Sequence, residues 1–277
     1  MEASPASRPL AVVTGASSGI GFELARQFLE GGYDLIAVAE DTAIEGVRTL
    51  GGDGASIEAV QLDLATDNGV DELYRRIKQS GRPVAALALN AGIGAGGAFA
   101  SNDPETTTPL EQELGIIDLN VRSVVHLAKH VVADMVARDE GRVLFTSSIA
   151  STMPGPFQAV YNASKSFVQS FALALRSELK DTNVTVTSLM PGPVDTEFFE
   201  RAEMTDTKMG AGSKDDPADV ARQGFQALMA GDERVVAASL SSKVTGKVGR
   251  VLPDSAKAAM HRSMAEPGSA PDPEEQS

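Results

Sequence analysis

Tyr161 and Lys165 stand four residues apart in a stretch that reads as helix, so both side chains leave the same face and can act together. The chemistry open to such a pair is proton exchange with an alcohol. A phenol titrates near pH ~10, so it works at neutral pH only if a neighbouring cation favours the phenolate. Lowering it by roughly two to three units takes about 3 to 4 kcal/mol, which Lys165 and a second positive group can supply in a partly dry cleft. Ser148 and Asn120 lie upstream. Taken singly, all four residues have plainer readings: a helix-surface pair, a strand-end serine bonded to backbone, a helix asparagine capping a turn.

The elements that must position them begin with a glycine-rich turn, Thr14-Gly15-Ala16-Ser17-Ser18-Gly19-Ile20-Gly21. It follows the apolar run Leu10 to Val13, short enough for a buried strand, and opens a segment where Leu24, Ala25, Phe28 and Leu29 recur at helical spacing. Glycines at 15, 19 and 21 permit a tight turn, bring backbone N–H groups close to a pyrophosphate and let the helix lie on the sheet, while its N-terminus favours the anion. Ser17 and Ser18 add hydroxyl donors. Glu40 follows about 20 positions on, where a ribose is expected to be read. Further apolar runs at Leu35 to Val38, Val84 to Leu89, Val143 to Phe145 and Val184 to Leu189 alternate with helical segments, and Val235 to Ala238 can close the series. The alternation predicts an α/β fold with a parallel sheet covered on both faces, and 277 residues suffice for one such domain.

In the order and spacing of these motifs the chain resembles the short-chain dehydrogenase/reductase family from residue 8 to residue 240. The family's Asn-Ala-Gly after the fourth strand appears as Asn90-Ala91-Gly92 and its helix asparagine as Asn120. Its serine appears as Ser148, preferred over Ser147 for its spacing from Tyr161, and its Pro-Gly stretch after the sixth strand as Pro191-Gly192-Pro193-Val194-Asp195-Thr196. Leu89 stands where many members carry a first asparagine. The resemblance implies a single doubly wound Rossmann-type domain over 9–240, its parallel sheet mainly seven-stranded and flanked by helices.

It also implies hydride transfer between a nicotinamide cofactor and an alcohol or ketone. Tyr161 would exchange the proton, Ser148 would orient the oxygen, and Lys165 would hold the nicotinamide ribose and lower the tyrosine pKa. Asn120 would support a water leading protons to solvent. The cofactor would lie along Gly15, Ser17, Ser18, Gly19, Ile20 and Gly21, then Glu40, Asp63 and Leu64, then Asn90, Ala91 and Gly92, reaching Tyr161, Lys165, Pro191, Gly192, Val194 and Thr196. Many relatives carry arginine where Glu40 stands. An acid there suits a ribose 2′-hydroxyl and repels a 2′-phosphate, so NAD is expected and NADP ranks below it. Assembly into a homodimer or homotetramer through the helices around Asn120 and Tyr161 is implied as well.

The stretch 195–215 is longer than most loops and carries Phe198, Phe199, Met204 and Met209, as active-site lids often do. With Met153, Pro154 and Phe157 it predicts an apolar cleft, and an apolar secondary alcohol or carbonyl compound touched by Ser148, Met153, Phe157, Tyr161, Phe198 and Phe199. Docking of the lid on the domain explains the same residues nearly as well. A non-catalytic dinucleotide sensor or scaffold on this fold is the alternative, opposed by the intact tetrad.

Composition narrows the rest. A net charge of −14 disfavours nucleic acid as a partner. Without cysteine there is no disulfide, thiolate metal site or thiol nucleophile, and His126, His130 and His261 are read as packing residues, so no metal is expected. No stretch reaches the roughly 20 apolar residues of a membrane span, and the first residues lack a signal-sequence pattern, which together predict a cytoplasmic protein. Residues 1–8 are read as flexible. Residues 241–265 are read as a helical segment with Val244, Val248 and Val251 near helical spacing, and 266–277 as a disordered acidic tail.

Overall fold

The computed structural model describes residues 8–52, 54–103, 106–237 and 252–271. Seven strands form one parallel sheet: β1 Leu10–Thr14, β2 Asp34–Ala39, β3 Ile57–Gln61, β4 Val84–Leu89, β5 Gly141–Thr146, β6 Val184–Pro191 and β7 Arg234–Ala237. Their order is β3-β2-β1-β4-β5-β6-β7. β1 and β2 are buried along their whole length, so they read as unbroken apolar runs. β3 escaped the sequence reading because it is an edge strand whose polar residues, Glu58 and Gln61, interrupt the apolar run.

Helices cover both faces. On one lie α1 Gly19–Glu30, a 3-10 stretch Thr42–Leu50 and, late in the chain, α8 Pro217–Ala230. Phe28, Leu24, Ile44 and Leu228 fill this layer against Val13, Leu35 and Leu189. On the other lie α2 Asp67–Gln79, α4 Ser123–Ala137 and α5 Ala159–Glu178, with Leu73, Leu127 and Val168 packed on Leu87, Val143 and Phe145. Each fully buried side chain of this size contributes about 1.5 to 3 kcal/mol relative to exposure. α3 Leu110–Ile117 runs into α4 through one wider π turn, Asp118–Arg122. The short helices α6 Phe198–Arg201 and α7 Lys208–Ala211 join α9 Asp254–Ala265 in a third, small apolar cluster, where Phe199, Ala202, Met204 and Ala265 are buried.

β1 lies between β2 and β4, and the two connections leave on opposite faces of the sheet. Such a switch in direction opens a crevice at the carboxyl ends of the strands. Two boundaries differ from the sequence reading. Arg8 is anchored, donating to the Leu29 carbonyl at 2.9 Å and lying 3.6 Å from Asp34. The first residues of the expected acidic tail are held too: Gly268 N–H donates to Asp206 Oδ2 at 2.7 Å and Ala270 N–H to the Asp206 carbonyl at 2.8 Å. Ser269 Oγ accepts from the Lys208 N–H at 3.1 Å as well, and composition hid all three bonds because they depend on a loop some sixty residues away. The expected helix through Val244, Val248 and Val251, and Ala238 of the last strand, lie outside the described residues. No described helix is long and apolar enough to cross a membrane.

Candidate active site

The crevice is a cleft of about 710 Å³. Its first end is shaped by backbone. Gly15 has φ +65°, and a Cβ there would sit 2.8 Å from the Ala91 Cα; a Cβ on Gly21 would sit 1.9 Å from the Gly15 carbonyl oxygen. Only glycine fits either position. Ser18 makes no side-chain cap on α1, whose first turn holds no acidic residue, so its leading N–H groups are left for an anion such as a pyrophosphate. Thr14 Oγ1 accepts from the N–H groups of Asn90 at 2.9 Å and Ala91 at 3.0 Å. Asn90 donates to the Thr14 carbonyl at 3.2 Å and accepts from Thr146 Oγ1 at 3.1 Å, tying β1, β4 and β5 together behind the cleft.

Gly15, Ser17, Ser18, Gly19, Ile20 and Gly21 line this end, as do Glu40, Asp63, Leu64, Asn90, Ala91 and Gly92. Pro191, Gly192, Val194 and Thr196 line the far wall. Glu40 is exposed at the rim. Asp41 is occupied: it accepts from Ser17 Oγ at 2.8 Å and from the Ala43 N–H at 2.9 Å, so the Ser17 hydroxyl is turned toward Asp41. Asp63 accepts from the Ala65 N–H at 2.8 Å at the entry to α2.

Tyr161, Lys165 and Ser148 meet on one wall. Ser148 ends β5's continuation and faces the Tyr161 hydroxyl, while Ser147 turns inward and donates to the Lys165 carbonyl at 3.0 Å. Lys165 Nζ donates to the Thr146 carbonyl at 3.1 Å and stands 5.9 Å from the centre of the Tyr161 ring. Burial pushes the Tyr161 phenol up to about 12, with Ser148 pulling it back, and pushes the Lys165 ammonium down to about 8. The lysine charge is held against a backbone carbonyl, and desolvation of the phenol outweighs the pull on the phenolate.

Asn120 sits in the π turn, a wider coil often found at functional sites, and does not itself line the cleft. Its Oδ1 accepts from the Ile93 N–H and its Nδ2 donates to the Ile93 carbonyl, both at 2.9 Å, with Ser164 Oγ 3.0 Å from Nδ2. The side chain therefore clamps the loop after β4. Gly92 lies between, where a Cβ would come 3.0 Å from Lys165 Nζ.

At the other end Met153, Phe198 and Phe199 line the cleft, and the Phe198 ring lies 5.2 Å from that of Tyr161. Phe157 does not line it. It has φ +64°, and its ring lies 5.1 Å beneath the Arg262 guanidinium, so it belongs to the seam under α9. The stretch 195–215 is pinched shut at its base, Asp195 N–H donating to the Asp215 carbonyl at 2.9 Å. Met260, His261 and Met264 of α9 complete the wall. Sequence reasoning missed them, since nothing local ties residue 261 to a loop at 153–157. His261 Nδ1 lies 3.1 Å from the Pro156 carbonyl, which only accepts, so Nδ1 carries the proton. Nε2 has no partner among the described residues, and burial holds the imidazole below its usual range.

Residues 9–207 match the family model for short chain dehydrogenase. The chain belongs to the short-chain dehydrogenase/reductase family. It is 34% identical over 194 residues to an uncharacterized short-chain type dehydrogenase/reductase of Sinorhizobium fredii, covering 70% of this chain and 73% of that protein. It is 31% identical over 204 residues to an NADP-dependent 3-hydroxy acid dehydrogenase of Salmonella typhimurium, covering 73% and 79%. Among solved structures, a short-chain dehydrogenase from Sphingobium yanoikuyae in complex with NADPH superposes with a TM-score of 0.76 at 23% identity, over 87% of this chain and 93% of that one. A family member from Burkholderia phymatum in complex with NAD superposes equally well, at 23% identity over 87% and 92%. The protein is thus an NAD(P)-dependent short-chain oxidoreductase, and the ranking of NADP below NAD drawn from the sequence finds no support in its relatives.

Proposed function

We propose that this short-chain dehydrogenase/reductase interconverts a secondary alcohol of largely apolar body with the corresponding ketone, using NAD in preference to NADP. The observation that carries the reading is the meeting of Tyr161, Ser148 and Lys165 on one wall of the cleft that begins at the glycine turn. When bound, the nicotinamide supplies or takes up the hydride. Tyr161 gives its proton to the carbonyl oxygen in reduction and removes it in oxidation, and a phenol held protonated by burial suits the reductive direction. Ser148 orients that oxygen, Lys165 reaches the ribose from its anchor on Thr146, and Asn120 keeps the loop floor in place.

Met153, Phe198, Phe199, Met209, Met260 and Met264 support an apolar substrate body, and His261 Nε2 supports one hydroxyl or N–H donor away from the reacting carbon. The preference for NAD rests on Glu40 at the rim. Among the described residues the cations lining the cleft are Lys165, Arg201 and Lys208, all toward the tyrosine and the lid, and none of them stands beside Glu40 to pair a 2′-phosphate.

The test is a panel of secondary alcohols oxidised with either cofactor and followed by absorbance of the reduced nicotinamide. The kcat/KM with NAD should exceed that with NADP by on the order of tenfold, and Tyr161→Phe should keep NAD binding while turnover falls to less than about a hundredth. A variant retaining a tenth of the turnover removes Tyr161 from the proton-transfer role, and a preference for NADP overturns the assignment to Glu40.

Self-assembly is proposed on separate ground. Leu110, Leu114 and Ile117 form an exposed apolar stripe on α3, and Phe167 is exposed on the neighbouring α5. A second copy covering them gives a homodimer, or a homotetramer by a further contact. Light scattering should give at least twice the chain mass at micromolar concentration; a monomer there sinks the proposal.

A further inference from the structure

Away from the cleft, where α2 packs along α4, three side chains with metal-binding chemistry converge. His126 and His130 are four apart on α4, so their rings share one face. This pairing was open to view in the sequence; what it lacked was the carboxylate, which comes from α2. Asp71 Oδ1 lies 3.0 Å from His126 Nε2, and one ligand atom from each of Asp71, His126 and His130 lies within 4.8 Å of the other two. Two donors bonded at ~2.1 Å to one ion stand ~3.0 Å apart at right angles and ~3.4 Å apart at the tetrahedral angle zinc prefers, so the pair is within a few tenths of an ångström of one edge of a coordination shell.

The surroundings also fit. His126 Nδ1 faces Asp67 Oδ1 at 3.7 Å, outside hydrogen-bond distance but on the side of the imidazole where a carboxylate orients metal-bound histidines. The His130 ring is stacked on Tyr74 with centroids 4.5 Å apart and planes 18° apart, and Tyr74 donates to Asp134 Oδ2 at 3.0 Å. Packing thus sets the direction of the second imidazole. None of Asp71, His126 and His130 lines the cleft.

We propose that Asp71, His126 and His130 form a site for a divalent transition-metal ion, zinc in the first instance, with its remaining positions filled by water. Two imidazoles and one carboxylate suit zinc, nickel or copper, whereas magnesium and calcium prefer oxygen donors throughout. The side chain of Asp71 is 62% exposed, so the ion has an entry path. Bound there, it would clip α2, which begins just after the cleft residue Leu64, to α4, which continues from the turn holding Asn120.

The experiment uses tag-free full-length protein, stripped with a chelator and titrated calorimetrically with Zn²⁺, with Mg²⁺ as the oxygen-preferring control. One equivalent of Zn²⁺ should bind, Mg²⁺ should not, and Zn²⁺ should raise the melting temperature. Asp71→Asn, an exposed and nearly isosteric change, and His130→Ala should each weaken Zn²⁺ affinity at least tenfold and remove the thermal shift. Absence of saturable Zn²⁺ binding overturns the proposal and leaves Asp71 and His126 as a surface ion pair. Equal affinity in the wild type and both variants also overturns it, placing the ion on other carboxylates of this acidic chain.

Discussion

The two ends of the cleft are built on different principles. The glycine-turn end is fixed by backbone: Gly15 and Gly21 stand where no Cβ fits, and Thr14, Asn90 and Thr146 tie three adjacent strands together by hydrogen bonds. The lid end is fixed by side chains from segments far apart in sequence, with Phe198 and Met204 from the lid meeting Phe157 and the residues of α9 in a small apolar cluster. Backbone constraint leaves one residue type open at a position, whereas a methionine-lined cluster accepts many. A dinucleotide needs the first kind of site, and the second can be refitted to a new substrate without disturbing it.

Three substitutions sharpen or break this contrast. The largest effect should come from Gly21→Ala, whose new methyl would overlap the Gly15 carbonyl oxygen and force the phosphate-facing turn apart. Cofactor KM should rise on the order of a hundredfold, as misplacement near 1 Å does, and a rise below threefold would show that the turn yields as easily as the lid.

Next, Lys165→Met should remove turnover yet stabilise the fold. The buried ammonium is held at about 8, below its ordinary 10.5, so below pH 8 the folded state carries the full penalty of a desolvated charge. Between pH 8 and 10 the folded protein sheds this proton before the unfolded chain does, and wild-type stability rises with pH. Thermal melts should therefore show the variant ahead by several degrees at pH 7 and its lead shrinking by pH 10. A lead that stays constant over that range would mean the lysine is not desolvated.

The smallest effect belongs to His261→Phe. Loss of one neutral hydrogen bond is worth about 0.5 to 1.5 kcal/mol, so KM should rise up to about tenfold for a substrate bearing a second hydroxyl and stay level for a simple ketone. An equal change for both would assign His261 to packing alone.

The contrast also explains what could be read before the fold was known. Six of the seven strands were legible because burial writes them as apolar runs, and the glycines because steric exclusion leaves no substitute. β3 was hidden by its edge position, the role of α9 by its distance along the chain, and the geometry of Asp71 with His126 and His130 by its dependence on two helices meeting. Phe157 stands off the cleft lining, in the seam against Arg262, a contact that no local pattern around residue 157 announces. Spacing on a helix fixes which groups are near, whereas a pKa is also set by how much water they lose, and burial holds the Tyr161 phenol above its ordinary value.

The bonds from Gly268 and Ala270 to Asp206 join positions some sixty residues apart. During synthesis at about 5 to 20 residues per second, the partner of Asp206 emerges roughly 3 to 12 seconds after it. In the later part of that interval, once α8 and β7 have followed, the cofactor end can be complete while Phe199 and Met204 still lack the apolar cover of α9. A nascent chain able to hold its dinucleotide, with its substrate end still sticky, is the species on which a chaperone would act.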